Sequence, residues 1–265
     1  MAAGLAIYDT GSISPIEACR IGEAFFDAIG ERVANAAYYR YVTVNGEQDV
    51  ELKEVPLPEL RAGLSSGEMK AFRLYAEKPG AQPWLASFGY MTDEFGGFHH
   101  MDAQCTADLD DVYTKLVQYL NDEVPQIACS YGMLYQAKKV ADAFYYAEGE
   151  NLARLFDFED PTVFKRDAPG RFKGPARYRK DILRMVYPCN VLNDSHLDIQ
   201  IQGTSLKAWI ANAPDRGALT SAGAGLWLWQ VEGSNIDSVN RSCGEAGILL
   251  AWKPPAPQKA RRALP

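Results

Sequence analysis

Cysteine pairs at metal or redox spacing are missing from this chain: its five cysteines (Cys19, Cys105, Cys129, Cys189 and Cys243) are odd in number, far apart, and form no Cys-x-x-Cys. That spacing excludes a zinc ribbon or a thioredoxin-type centre, argues against a disulfide framework, and fits reduced, buried thiols. Phosphate-cradling loops are missing too. Neither Gly-x-Gly-x-x-Gly nor Gly-x-x-x-x-Gly-Lys-Ser/Thr occurs, so dinucleotide cofactors and nucleoside triphosphates lack their usual backbone amides. There is no Gly-x-Ser-x-Gly elbow, and "TSAGAG" (220–225) reads as a hairpin turn rather than a nucleophile. No apolar run approaches the ~20 residues of a membrane helix. The opening "MAAGLAIYDTGS" has neither the basic start nor the sustained apolar stretch of a secretory signal. The expectation is a soluble cytoplasmic protein with no cofactor and no membrane partner.

What the chain does have is length and apolar content for a sizeable core: 265 residues, 47% hydrophobic and 11% aromatic, without long polar tracts. Charge is distributed unevenly. Residues 1–164 carry 12 Lys and Arg against 26 Asp and Glu, a net of −14, whereas residues 165–184 carry 8 against 2, a net of +6. An acidic front repels phosphate, so nucleic acid is not an expected partner; it suits a basic partner, or simply keeps the surface hydrated. The basic stretch sets Arg171, Lys173, Arg177, Arg179 and Lys180 around Phe172 and Tyr178. Cations interleaved with aromatics can bind single strands, but behind so acidic a front an intramolecular or protein-facing role is expected.

The stretch "IYDTGSIS" (7–14) spells the catalytic loop of an aspartic protease. That chemistry needs two carboxylates about 3 Å apart sharing one proton, and no second Asp-Thr-Gly or Asp-Ser-Gly exists in the chain. The residues that follow favour a strand-to-helix turn instead. Ser14 can cap the helix, Pro15 suits its first position, and Glu17 falls in its first turn.

Along the chain, a strand at 4–9 precedes a helix at about 15–32. "AYYRYVTVNG" ends in an Asn-Gly turn signal, and "EMKAFRLYAE", "PWLASFGYM" and "GGFHHMDAQC" read as strands. "ADLDDVYTKLVQYLND" is the clearest helix, with Asp108 as N-cap, Asp110 and Asp111 at the positive end of the dipole, and Leu109, Val112, Leu116 and Leu120 as its buried stripe. "QIACSYGMLYQ" reads as a strand, "AKKVADAFYYAE" as a helix, the basic stretch as a loop feeding a helix, and "GILLAWK" as a closing strand. This irregular interleaving predicts an α+β fold of mixed, mostly antiparallel sheets with packed helices. A boundary near 124 would give two similar-sized subdomains, an acidic one at 1–124 and a second at 125–253, with a disordered basic tail at 254–265.

"FHHMDAQC" holds two of the three histidines. On a strand His99 and His100 point to opposite faces, while His100 and Asp102 share one. A metal-dependent hydrolase would therefore need His100, Asp102 and, from "LNDSHLD", His196; ordinary hydrogen-bonded histidines are the simpler reading.

Over most of its length the chain resembles a known family. "DILRMVYPCNVLNDSHLDIQIQGTSLKAWI", "GLWLWQVEG", "AGILLAWK" and, at the start, "GLAIYDTGSISPIEA" resemble bacterial immunity proteins of the immunity protein 52 family, found beside polymorphic toxins and type VI secretion effectors. The resemblance implies an α+β fold, no enzymatic activity, a cytoplasmic location, and a cognate toxin that often carries a nuclease domain. Under that expectation the acidic residues Asp93, Glu94, Asp102, Asp108, Asp110 and Asp111 are the candidate toxin-binding set, with helix-start roles competing for Asp108, Asp110 and Asp111.

Overall fold

The N-terminal strand β1 (Ala2–Tyr8) is buried at every residue, because it lies in the middle of a sheet covered on both faces. The computed structural model describes residues 1–77, 84–170 and 172–254. After β1 come α1 (Pro15–Ile29), the hairpin β2 (Asn35–Val44) and β3 (Glu47–Val55), α2 (Leu57–Ser66), β4 (Phe72–Ala76), β5 (Ala86–Met91), the single turn α3 (Asp93–Gly96), β6 (His100–Cys105) and α4 (Leu109–Glu123). The chain continues with β7 (Tyr131–Ala137), α5 (Val140–Glu148), α6 (Val163–Asp167), β8 (Cys189–Asn193), α7 (Asp194–Leu197), β9 (Gln200–Ile201), β10 (Thr204–Ser205), α8 (Leu206–Ala211), the hairpin β11 (Ala218–Gly223) and β12 (Leu226–Gln230), and α9 (Ile236–Glu245).

Ten strands form one sheet in the order β11-β12-β8-β7-β1-β6-β5-β4-β2-β3, and β9 and β10 form a small second one. Every neighbouring pair is antiparallel. The fold is α+β, with the mostly antiparallel sheet and packed helices that the sequence predicts. β1 pairs with β6 on one side and β7 on the other, so the sheet runs unbroken across residue 124.

Alternation along β1 divides the core. Ala3, Leu5 and Ile7 face α1, α2 and α4. Ala6 and Tyr8 face α5, α6, α8, α9 and the chain that links them. Burying a side chain the size of Phe25 or Phe26 on α1 contributes about 1.5–3 kcal/mol, which is what holds the helices down.

Local signals behave as the chemistry requires. Ser14 and Glu17 close a reciprocal capping box on α1, worth about 1 kcal/mol, and Leu109, Val112, Leu116 and Leu120 of α4 are all buried. Asn45 and Gly46 (φ 53° and 84°), like Ala224 and Gly225 (φ 53° and 76°), make the double left-handed turns that suit two-residue hairpins. Two expectations are corrected. The second half of the basic stretch is not an α-helix: after one 3-10 turn at Arg177–Arg179 no further helix or strand forms before β8, and Leu183 makes a single parallel bridge with Leu249. "GILLAWK" likewise adds only isolated bridges, at Leu249 and Trp252. Both are short apolar runs filling the second core, where burial and not periodicity sets the conformation. The expected disordered tail lies, from residue 255 onward, outside the described residues.

Candidate functional site

β4, β5 and β6 place charged and polar side chains on the sheet face that α5 covers. Arg73 of β4 meets Asp102 of β6 through two parallel bonds, Nη1 to Oδ2 and Nη2 to Oδ1, each 2.8 Å. Gln104 donates to Asp102 Oδ2, and Ser87 of β5 donates to Gln104 at 2.6 Å. Phe144 of α5 lies over the guanidinium, 4.6 Å from its ring centroid. Burial pushes the Asp102 carboxyl up, but the guanidinium more than offsets this and leaves it below the usual carboxylate range.

Beside this pair a cavity of about 560 Å³ opens between α3 and the α5–α6 connection. Its floor includes His100 and Glu148; Asp93, Glu94 and Glu150 line its walls with the aromatic rings of Phe95 and Phe172. His100 stacks on Phe98 at 4.5 Å, and burial lowers its pKa. Glu148, the last residue of α5, is raised to about 7, first by burial and then by the charge of Asp102. The shared face predicted for His100 and Asp102 is present, and the donor atoms of His100, Asp102 and Glu148 all lie within 4.8 Å of one another. These three are the residues that could hold a metal.

His196 does not join them, which corrects the expected hydrolase trio. Its Nε2 donates to the Tyr178 carbonyl at 2.7 Å, and its Nδ1 accepts the Asn193 amide at 3.2 Å. Both nitrogens are spent fastening α7. The residue that takes its place, Glu148, was not legible: it ends a helix whose docking on β1 and β6 is a long-range fact. One signal did exist, since Arg73 and Asp102 are opposite charges each set inside an apolar strand.

The six acidic candidates do not form one surface. Asp93 and Glu94 sit on α3, before β6, and Glu94 pairs with Lys70 at 3.0 Å. Asp108, Asp110 and Asp111 follow the far end of β6, about 17 Å along the strand, where Asp108 caps α4. Asp102 is fully buried against Arg73. Instead, the cavity gathers Glu148 and Glu150 with Asp93 and Glu94.

Cations of the basic stretch are largely used within the chain. Lys165 pairs with Glu150, Arg177 with Asp167 and Arg179 with Asp9. Buried Arg184 lies between the rings of Tyr146 and Phe164, 3.7 and 4.1 Å from their centroids. Among the described residues of this stretch, only Lys173 and Lys180 make neither an ion pair nor a side-chain hydrogen bond; Arg171 lies outside them. The Asp-Thr-Gly loop is the strand-to-helix turn the sequence favours, with Asp9 at φ 64° held by Arg179. All five cysteines are buried, and burial raises Cys105 to about 11 and Cys19, Cys129, Cys189 and Cys243 to about 12. Thiols so poorly ionised are poor nucleophiles.

No family model matches the chain, so the resemblance to the immunity protein 52 family gains no support there. No curated protein matches it either. Among solved structures it is similar in fold to the Pseudomonas aeruginosa T6SS protein PA0821, with a TM-score of 0.55 and 13% identity, over 97% of this chain and 76% of that one. Among the described residues no helix is long and apolar enough to cross a membrane.

Proposed function

We propose that this chain is a T6SS-linked immunity protein that neutralises a cognate secreted toxin by stoichiometric binding, with a basic surface of the toxin, such as that of a nuclease domain, docking over the acidic cavity mouth. The observation that carries the reading is the asymmetry between spent and unspent charge. The concentrated cations are tied to the chain's own carboxylates and rings, whereas four carboxylates against one lysine line the cavity, and Asp93 at its mouth pairs with no lysine or arginine among the described residues and has its side chain 76% exposed. An acidic mouth of this kind speeds encounter with a basic partner and competes with the nucleic acid such a partner would hold. The fold likeness to a T6SS protein is compatible with this role.

Titrating the protein into the toxin's activity tests it. Inhibition is expected to complete at one protein per toxin; loss of activity at far lower ratios would indicate turnover and contradict a binding mechanism. The paired reversal Asp93→Lys with Glu94→Lys is expected to slow association about ten-fold or more at low salt, while reversal at Lys173 and Lys180 leaves it unchanged.

A further inference from the structure

The cavity floor carries an arrangement that toxin docking does not use. His100 Nδ1 lies 3.2 Å from the Phe98 carbonyl oxygen. A carbonyl can only accept, so Nδ1 carries the ring proton and Nε2 is left as a bare lone pair. His100 is 1% exposed, and its Nε2 has no hydrogen-bond partner even though the residue lines the cavity. The carboxylates of Asp102 and Glu148 each bring an oxygen within 4.8 Å of a His100 ring nitrogen. With Glu148 ionised three acceptors converge, and what binds all three at once is a cation.

We propose that His100 Nε2, Glu148 and Asp102 bind one first-row divalent metal ion of the manganese-to-zinc class. One imidazole with two carboxylates suits that class, with no thiolate to favour copper(I) or an iron–sulfur cluster. The surrounding bonds are those that orient metal ligands. The histidine donates its other nitrogen to a backbone carbonyl, which fixes the tautomer, and the buried carboxylate is held by its own donors. Asp102 retains capacity for the ion: Arg73 and Gln104 both donate to Oδ2, but Oδ1 accepts only from Arg73. Arg73 is a cost, since its charge opposes the ion. Glu94 and Glu150 are already paired with Lys70 and Lys165, so it is Glu148 at the floor and exposed Asp93 at the mouth that offset that cost and mark the path of entry. Donor atoms as much as 4.8 Å apart are wider than bonds of about 2.1 Å require, so binding requires the Glu148 side chain, at the end of α5, to move inward.

Calorimetric titration of chelator-stripped protein with zinc chloride, and separately with manganese chloride, at neutral pH tests the site. The parent protein is expected to take one ion per chain. Glu148→Gln or His100→Gln should weaken binding about ten-fold or more, while Asp215→Asn, outside the cavity lining, leaves it unchanged. Should substitution at buried His100 unfold the chain, paramagnetic broadening in the parent gives the same answer: substoichiometric manganese is expected to broaden the His100 ring resonances before those of His99 or His196. Absence of binding by the parent up to about 1 mM ion, binding that Glu148→Gln retains, or broadening centred on His99 would overturn the proposal.

Discussion

Arg73 and Asp102 face each other across the central sheet through two bonds of 2.8 Å, with side chains 1% and 0% exposed. A buried pair of this geometry stabilises little against an apolar replacement, but removing one partner strands a charge. Asp102→Asn is therefore expected to cost about 3–5 kcal/mol in urea unfolding, and the double replacement Arg73→Met with Asp102→Leu much less. Equal losses for the two variants would show that the pair's ionic character is not what the fold depends on.

Gly89 is the floor on which that pair rests. A methyl group there would sit 2.7 Å from Asp102 Oδ1 and closer still to Arg73 Nη2. The far end of an arginine can usually swing away, but this one is pinned by Asp102 and covered by Phe144. Gly89→Ala is expected to lower stability by about 1–3 kcal/mol. By contrast Gly233→Ala, where nothing lies within 4 Å, should cost almost nothing. Equal melting temperatures for the two variants would contradict the packing account.

His196 predicts an acid-side loss of stability. Burial lowers its pKa to about 4, against about 6.5 in the unfolded chain. The unfolded state therefore binds the extra proton first as pH falls, and the His196 contribution to stability drops between pH 6.5 and pH 4, while Glu148, raised to about 7 in the folded chain, contributes with the opposite sign over the same range. This one group should cost about 2 kcal/mol at pH 5 relative to pH 7. Protonating Nδ1 would also break its bond from the Asn193 amide. Read from urea unfolding, the change in stability from pH 7 to pH 5 should be more favourable in His196→Gln than in the parent by about 2 kcal/mol; an identical change in both proteins would remove His196 as a contributor.

Elements whose cause is local were legible in the sequence. Ser14 and Glu17 announce α1, Asn45 and Gly46 announce the β2–β3 turn, and the apolar stripe from Leu109 to Leu120 announces α4. Each depends on residues within a few positions of one another. What escaped depends on strand pairing across the chain. That β1 joins β6 to β7 fixes a continuous sheet, and only this sheet brings Glu148 to His100 and Asp102. His196 was misassigned for a related reason. "NDSH" reads locally as a cap, and Asn193 and His196 do form a reciprocal capping pair, so the histidine's bonds were already committed. The six acidic candidates look close along the chain, yet β6 buries Asp102 within itself and sets Asp93 and Glu94 before one end and Asp108, Asp110 and Asp111 beyond the other.

Affinity capture of the tagged protein from its source lysate, with mass spectrometry and quantification of what co-purifies, tests the central claim most directly. The account predicts a T6SS-linked effector with a basic domain, recovered near one-to-one and lost when Asp93 and Glu94 are both reversed to lysine. Recovery of no protein partner, or of a partner retained in full by the reversed variant at low salt, would contradict neutralisation at the acidic cavity mouth.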